Sequence, residues 1–142
     1  MNLQLVTLSG VKLDKKIYGV QIPTVDGEIG IFNDHEPLIT IAKAGVLQVK
    51  QKADDREEDF EYYAIKGGAV QVLDNSIKIL VDEAESSDEV IESEAKEALE
   101  RARSLHKAAA TTIEVSEAQA MINHAQARLK IANLKRHKRR NI

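Results

Sequence analysis

Four side chains capable of acid–base chemistry crowd one short segment, GEIGIFNDHEPL: Glu28, Asp34, His35 and Glu36. A carboxylate beside an imidazole is the minimum equipment for general acid–base catalysis. The segment holds no Ser, Cys or Lys to act as a nucleophile. His35, His106, His124 and His137 stand in no metal-ligand spacing such as H-E-x-x-H. An acid–base pair without a nucleophile, a metal or substrate-binding companions does not make an active site. We therefore expect no catalytic residue, no metal and no cofactor. Asn33-Asp34 suits an Asx-type turn, with Pro37 fixing the exit of the chain. Recognition is the reading that uses the whole segment. It places Glu28 and His35 on an exposed loop at one end of a rigid domain.

Composition narrows the partners. The chain has 142 residues and no cysteine, which excludes disulfides and thiolate metal sites. The N-terminal MNLQLVTLSG lacks the basic and apolar blocks of a signal peptide, so none is expected. No apolar run approaches the ~20 residues that cross a bilayer. Net charge is only -3, but its distribution is uneven. After Glu117 the chain carries Arg128, Lys130, Lys135, Arg136 and Lys138 without an acidic residue. No aromatic residue interleaves these cations, so base stacking on nucleic acid is unavailable. Cations also sit favourably at a helix C-terminus. An acidic protein surface is the expected partner.

The elements that position these residues change in kind along the chain. Every Gly, Pro and aromatic residue precedes Ala84, and an Ala-rich, charged sequence follows. The first part alternates apolar and polar residues in short runs separated by turn formers, which predicts an antiparallel sandwich. Tyr18, Val20 and Ile22 share a face until Pro23 ends the run. Gly67-Gly68 reads as a turn or bulge needing positive φ, and Asp74-Asn75 as a hairpin turn. The second part predicts two helices. Ser86, Ser87 or Asp88 caps the first, with a stripe of Ile91, Ala95, Ala98, Ala102, Leu105 and Ala109. Thr111-Thr112 and Ser116 mark the break and the next cap. Ala118, Ile122, Ala125, Leu129 and Ala132 form the second stripe. The expected fold is α+β: an all-β sandwich of about ten antiparallel strands over 1–85, then an antiparallel two-helix hairpin over 86–142. Alanine stripes bury little area, so the hairpin is loosely held and can relocate.

GEIGIFNDHEPL followed by AKAGVLQV resembles the epsilon subunit of bacterial F-type ATP synthases. Gly27, Glu28, Ile29, Gly30, Ile31, His35, Pro37, Leu38 and Thr40 fall in register with that family's motif. IKGGAVQVLDNSIKILVDEAE is similar to the end of its sandwich, and EAKEALERA to its helical hairpin. The resemblance implies a non-catalytic rotor subunit of the central stalk, bound to gamma and to the c-ring. It implies ring contact through Glu28 and His35, and contact with the catalytic beta subunits through Arg128, Lys130, Lys135, Arg136 and Lys138. It also implies that the hairpin restrains ATP hydrolysis when extended, and a place on the cytoplasmic face of the bacterial inner membrane, reached only through the complex. An extended hairpin should gain charge contacts, so high salt should weaken that state. The alternative is a free-standing sandwich that binds a ligand or nucleic acid. A carbohydrate module needs exposed aromatics for stacking, and this chain has three Tyr, two Phe and no Trp.

Some bacterial members of that family bind ATP through [IL]-D-x-x-R-A. Aligned on Ala95, this chain has Ile91 at the Asp position, Glu92 next to it, and Glu94 at the Arg position. A carboxylate in place of guanidinium repels a triphosphate. The chain should therefore not bind ATP tightly. Isothermal titration of the whole chain should give no micromolar binding, and micromolar binding would overturn this.

Overall fold

The computed structural model describes residues 1–140, with side chains through Arg136. Ten strands come first: β1 (Asn2–Thr7), β2 (Gly10–Lys16), β3 (Gly19–Thr24), β4 (Gly27–Phe32), β5 (Leu38–Ala42), β6 (Gly45–Lys50), β7 (Glu61–Ile65), β8 (Gly68–Leu73), β9 (Ser76–Val81) and β10 (Ala84–Ser86). Two helices follow, α1 (Glu92–Ala108) and α2 (Thr112–Arg140). The strands run β10-β7-β6-β3-β5-β8-β9-β1-β2, with β4 on the outer side of β3. Strict alternation explains the burial: in β9, Ile77, Ile79 and Val81 point inward while Ser76, Lys78 and Leu80 point out. The inward residues of both layers, from Leu3 and Leu5 to Ile22, Leu47, Ile65 and Val70, form one core.

β3 makes the corner between the layers. Its Gly19–Gln21 half pairs with β6, and its last residue, Thr24, pairs with Ala42 of β5. Pro23 therefore does not end the strand. It falls where the neighbour changes, so its missing N–H costs no ladder bond, and its carbonyl accepts from Lys43 N at 2.9 Å. Tyr18 lies before the strand, exposed, and its ring meets Phe32 edge-on at 5.8 Å. One pairing departs from the antiparallel expectation: β1 and β9 run parallel. The two strands are distant in sequence, so no tight turn dictates their direction.

Turn chemistry differs from expectation in two places. Asp74 and Asn75 adopt φ of 50° and 58°, the geometry of a two-residue hairpin. Gly67 and Gly68 do not adopt positive φ. Gly68 is required for another reason: a Cβ there would lie 1.9 Å from the Leu80 carbonyl oxygen across the β8–β9 pair. Asn33-Asp34 is not closed on itself. The Asp34 N–H donates to Asn75 Oδ1 at 2.8 Å, and Asn33 Oδ1 accepts from the N-terminal ammonium at 3.0 Å. The turn is thus tied to a neighbouring hairpin and to the chain start.

Helix starts also moved. Ser86 ends β10 and its N–H donates to Glu89 Oε1 at 3.0 Å, closing a turn. Asp88 is held by Lys135 at 3.2 Å. These engagements delay α1 until Glu92, with the apolar Ile91 at the cap position and no side-chain cap. α2 begins at Thr112. Thr111 Oγ1 accepts from Glu114 N, and Glu114 Oε2 accepts from Ala110 N, a near capping box. Ser116 lies inside the helix.

The two helices pack antiparallel through Ala95 and Ala102 of α1 and Ala118, Ala125 and Ala132 of α2. Ile91 and Leu105, expected in the first stripe, are each 52 % exposed. Ala95 and Ala102 are buried and Ala98 and Ala109 half-buried as expected, with Leu99 and His106 also half-buried beside them. No helix among the described residues is long and apolar enough to cross a membrane.

Gly68→Ala should cost about 3 kcal/mol of sandwich stability, because backbone and not a side chain must give way. Denaturant unfolding of the variant should show the midpoint lowered. An unshifted midpoint would mean that the strands separate freely there.

Candidate functional site

α2 has two buried faces. One meets α1. The other carries Ala127 and Ile131, packed on Val46 of β6 and Ala64 of β7, with Tyr62 and Val90 at the margin. This cluster is separate from the sandwich core. It is small because alanines on both sides let helix and sheet approach without large side chains. Full burial of Ile131 contributes roughly 2–3 kcal/mol, so apolar contact alone holds the hairpin modestly.

Ion pairs ring this seam. Arg128 Nε donates to Glu85 Oε2 at 2.8 Å, with both side chains largely buried. Lys135 pairs with Asp88 at 3.2 Å, and Arg136 with Glu92 at 3.1 Å. A nearby pair within the sandwich, Lys66 and Glu83 at 2.8 Å, holds the Glu83 carboxyl below the usual carboxylate range, chiefly through the lysine's hydrogen bond. At the other margin, Lys12 meets Glu89 at 2.5 Å, which with a hydrogen bond from Ser86 also lowers the Glu89 carboxyl. Arg128 and Lys135 are thus engaged by Glu85 of β10 and by Asp88 of the segment joining sandwich to hairpin, while Arg136 pairs within the hairpin with Glu92 of α1. The salt sensitivity expected of an extended hairpin must be set against the pairs that Arg128 and Lys135 already make in the docked form. Lys130 is exposed and lines a shallow cleft with Lys43 and Glu28. The Lys138 side chain lies outside the described residues.

Sequence reasoning missed His124. It lies on α2 one turn before Arg128, half-buried, and its Nε2 is buried without a hydrogen-bond partner among the described residues. Burial first, then the Lys66 and Arg128 charges against an opposing Glu83, push the imidazole down to about 4. A signal was available: His124, Arg128, Ile131 and Lys135 follow helical spacing on the face that the alanine stripe leaves free.

Glu28 and His35 are not neighbours. Glu28 stands on β4 beside the β3–β4 turn, where Gln21 donates to it. That turn is fixed by Thr24 Oγ1, which donates to the Gly27 carbonyl at 2.5 Å, with Gly27 at φ 105°. His35 lies past the other end of β4, its Nδ1 within 2.7 Å of the Glu36 carbonyl oxygen. Four residues of extended chain, roughly 13 Å, separate Glu28 from Phe32 before the His35 turn begins. The two groups cannot act on one proton. No cluster of three His, Asp or Glu side chains among the described residues is placed to hold a metal. In the hairpin, Ala95 is buried against α2, Glu92 binds Lys96 and Arg136, and Glu94 faces solvent.

The sandwich presents one broad apolar surface. Cross-strand partners Ile41, Ala69, Leu80, Val6 and Val11 form a continuous row over β5, β8, β9, β1 and β2. Ile41 is 59 % exposed, Leu80 46 % and Val11 60 %, and the neighbouring Ile39 is 80 % exposed. These side chains point away from the core, on the face opposite the buried alternates.

Comparison with known proteins gives this arrangement its family. Residues 1–87 match the family described as ATP synthase, Delta/Epsilon chain, beta-sandwich domain. The ATP synthase epsilon chain of Herpetosiphon aurantiacus is 33 % identical over 138 residues, covering 97 % of this chain and 98 % of that one. A chain in the Euglena gracilis mitochondrial ATP synthase has the same fold, with TM-score 0.73 and 22 % identity over 88 % of this chain and 76 % of its own. A chain in the central stalk/c-ring assembly of the Tetrahymena thermophila mitochondrial ATP synthase aligns with TM-score 0.62 and 18 % identity, covering 92 % and 94 %. The chain belongs to the epsilon-chain family of ATP synthases, non-catalytic subunits of that complex.

Proposed function

We propose that this chain is a rotor subunit in the central stalk of a proton-transporting F-type ATP synthase, seated between gamma and the c-ring. The observation that carries the reading is the apolar row from Ile41 to Val11, continued by Ile39. A row five strands wide is a poor surface to leave in water, since each Å² of apolar area removed from water stabilises an assembly by about 25 cal/mol. A stiff sheet also offers a face that transmits torque without bending. Gamma is the partner this face receives.

The ring contact falls to β4. β4 pairs only with β3 and leaves its other edge open. Glu28 and His35 mark its two ends, so a polar ring surface meets both only by lying along that edge. The complex holds the chain on the cytoplasmic face of the bacterial inner membrane. Through these contacts the chain couples ring rotation to the catalytic head.

The hairpin restrains ATP hydrolysis when it leaves the sandwich and presents Arg128, Lys130, Lys135 and Arg136 to acidic segments of the catalytic head. The docked form described above is the stored state, with Arg128 and Lys135 neutralised by Glu85 and Asp88, and Arg136 paired within the hairpin with Glu92. A bistable element of this kind needs nearly balanced contacts in its two positions.

Three experiments test these assignments. Ile41→Lys combined with Leu80→Lys changes exposed positions only, so the purified chain should fold normally yet fail to co-purify gamma from gently solubilised membranes. Retention of gamma would place it on another face. In the same membranes, cysteines replacing Glu28 and His35 should each cross-link to the ring subunit, and failure of both would remove β4 from the ring contact. Glu85→Gln with Asp88→Asn deprives the docked hairpin of partners worth about 1–3 kcal/mol together. The docking equilibrium should then shift at least about fivefold, and hydrolysis by the reconstituted complex should be inhibited more strongly. Weaker inhibition would show that those acids serve the inhibitory state instead.

A further inference from the structure

We infer that the seam between α2 and the sandwich is released by protons, with His124 as the group that takes them up. The geometry is that of a neutral imidazole enclosed by cations. Nε2 is buried and unpartnered among the described residues, so nothing stands ready to accept a hydrogen bond from it once it carries a proton. Arg128 lies one turn further along α2, anchored by Glu85 on β10. Lys66, between β7 and β8, brings a second cation, anchored by Glu83, between β9 and β10. The two carboxylates that could balance a third positive charge are already committed to the two cations. Protonating His124 therefore inserts a charge whose buried Nε2 finds no acceptor in the docked seam, and undocking relieves it by exposing that nitrogen to water.

The sign follows from where the proton binds. Docking holds the imidazole near 4, mainly by burial and next by Lys66, whereas a solvated histidine titrates near 6.5. The released hairpin binds the proton more tightly. Docking is fully favoured above about pH 6.5, weakens as pH falls through that value, and stops weakening near pH 4, where both forms are charged. Between pH 7.5 and 5.5 the docking equilibrium should fall about tenfold. Glu83, whose carboxyl Lys66 holds below the usual range, keeps its pair with that lysine through this window, and the His124 variant isolates the imidazole's share. What the freed hairpin then does in a complex rests on the function proposed above; the release itself does not.

The test uses the whole isolated chain, which contains no cysteine of its own. A thiol introduced by Ala127→Cys, at the buried seam, reports opening through its rate of reaction with a dipyridyl disulfide. Gln119→Cys, exposed on α2, corrects for the pH dependence of the reagent. The corrected rate should rise about tenfold from pH 7.5 to 5.5, and by less than twofold once His124→Gln is added. An unchanged rate, or an equal rise with His124→Gln, would overturn the inference. If the seam thiol already reacts at the exposed control's rate at pH 7.5, the His124 ring is titrated by NMR in the unaltered chain. A midpoint below about 5.5 upholds the coupling, and one at or above that value removes it. These outcomes concern the isolated chain and leave gamma and ring assignments untouched.

Discussion

α2 has to satisfy two partners with one set of small side chains. Ala118, Ala125 and Ala132 meet α1, while Ala127 and Ile131 meet the sandwich, and only Ile131 is a large side chain among the fully buried ones. Small residues permit close approach but supply little apolar area. The helices therefore adhere to each other along their length and to the sandwich over a short patch between Val46 and Ala64. The docking of the hairpin is therefore weaker than the cohesion of its two helices. A larger apolar patch would fix the hairpin, and a smaller one would leave it undocked.

The sandwich solves a different problem. Its core is built from Leu, Ile and Val of both layers, many with no exposed surface, and its corner strand passes from one layer to the other at Pro23. Such a body keeps its shape under load. Ion pairs then close its remaining gap: Lys15 of β2 reaches Glu61 of β7 at 2.6 Å, and Lys12 reaches Glu89 beyond β10. Exposed pairs of this kind contribute at most about 1 kcal/mol each. Their value lies in registering elements that share no backbone hydrogen bonds.

Much of this was legible from the residues. Alternation located the strands because the period of two is imposed by backbone geometry and survives in any context. Asp74-Asn75 announced its turn because few residues tolerate positive φ. Longer-range arrangements were not legible. Gly67-Gly68 looked like a turn because the close passage of the Leu80 carbonyl is made by another strand. Leu105 looked like core because spacing alone does not record that His106, one residue on, takes the half-buried position beside α2. Glu28 and His35 looked like one site because seven residues of sequence do not reveal that an extended strand lies between them. Ser86 and Asp88 looked like caps until Glu89 and Lys135 were seen to occupy them.

Charge placement is where the fold and the movable arm meet. The basic tail read as unsatisfied charge in search of a partner, since its acids lie some forty residues earlier in the chain. In the folded protein Glu85 of β10, Asp88 of the connecting segment and Glu92 of α1 meet the cations of α2. The docked helix is consequently not repelled from the sandwich, since its cations meet acids there. With those charges balanced in pairs, a single uncompensated charge weighs heavily on the small apolar seam. His124 is placed where that charge appears, between two cations whose counter-ions are already taken. Its weight comes from the evenness of everything around it.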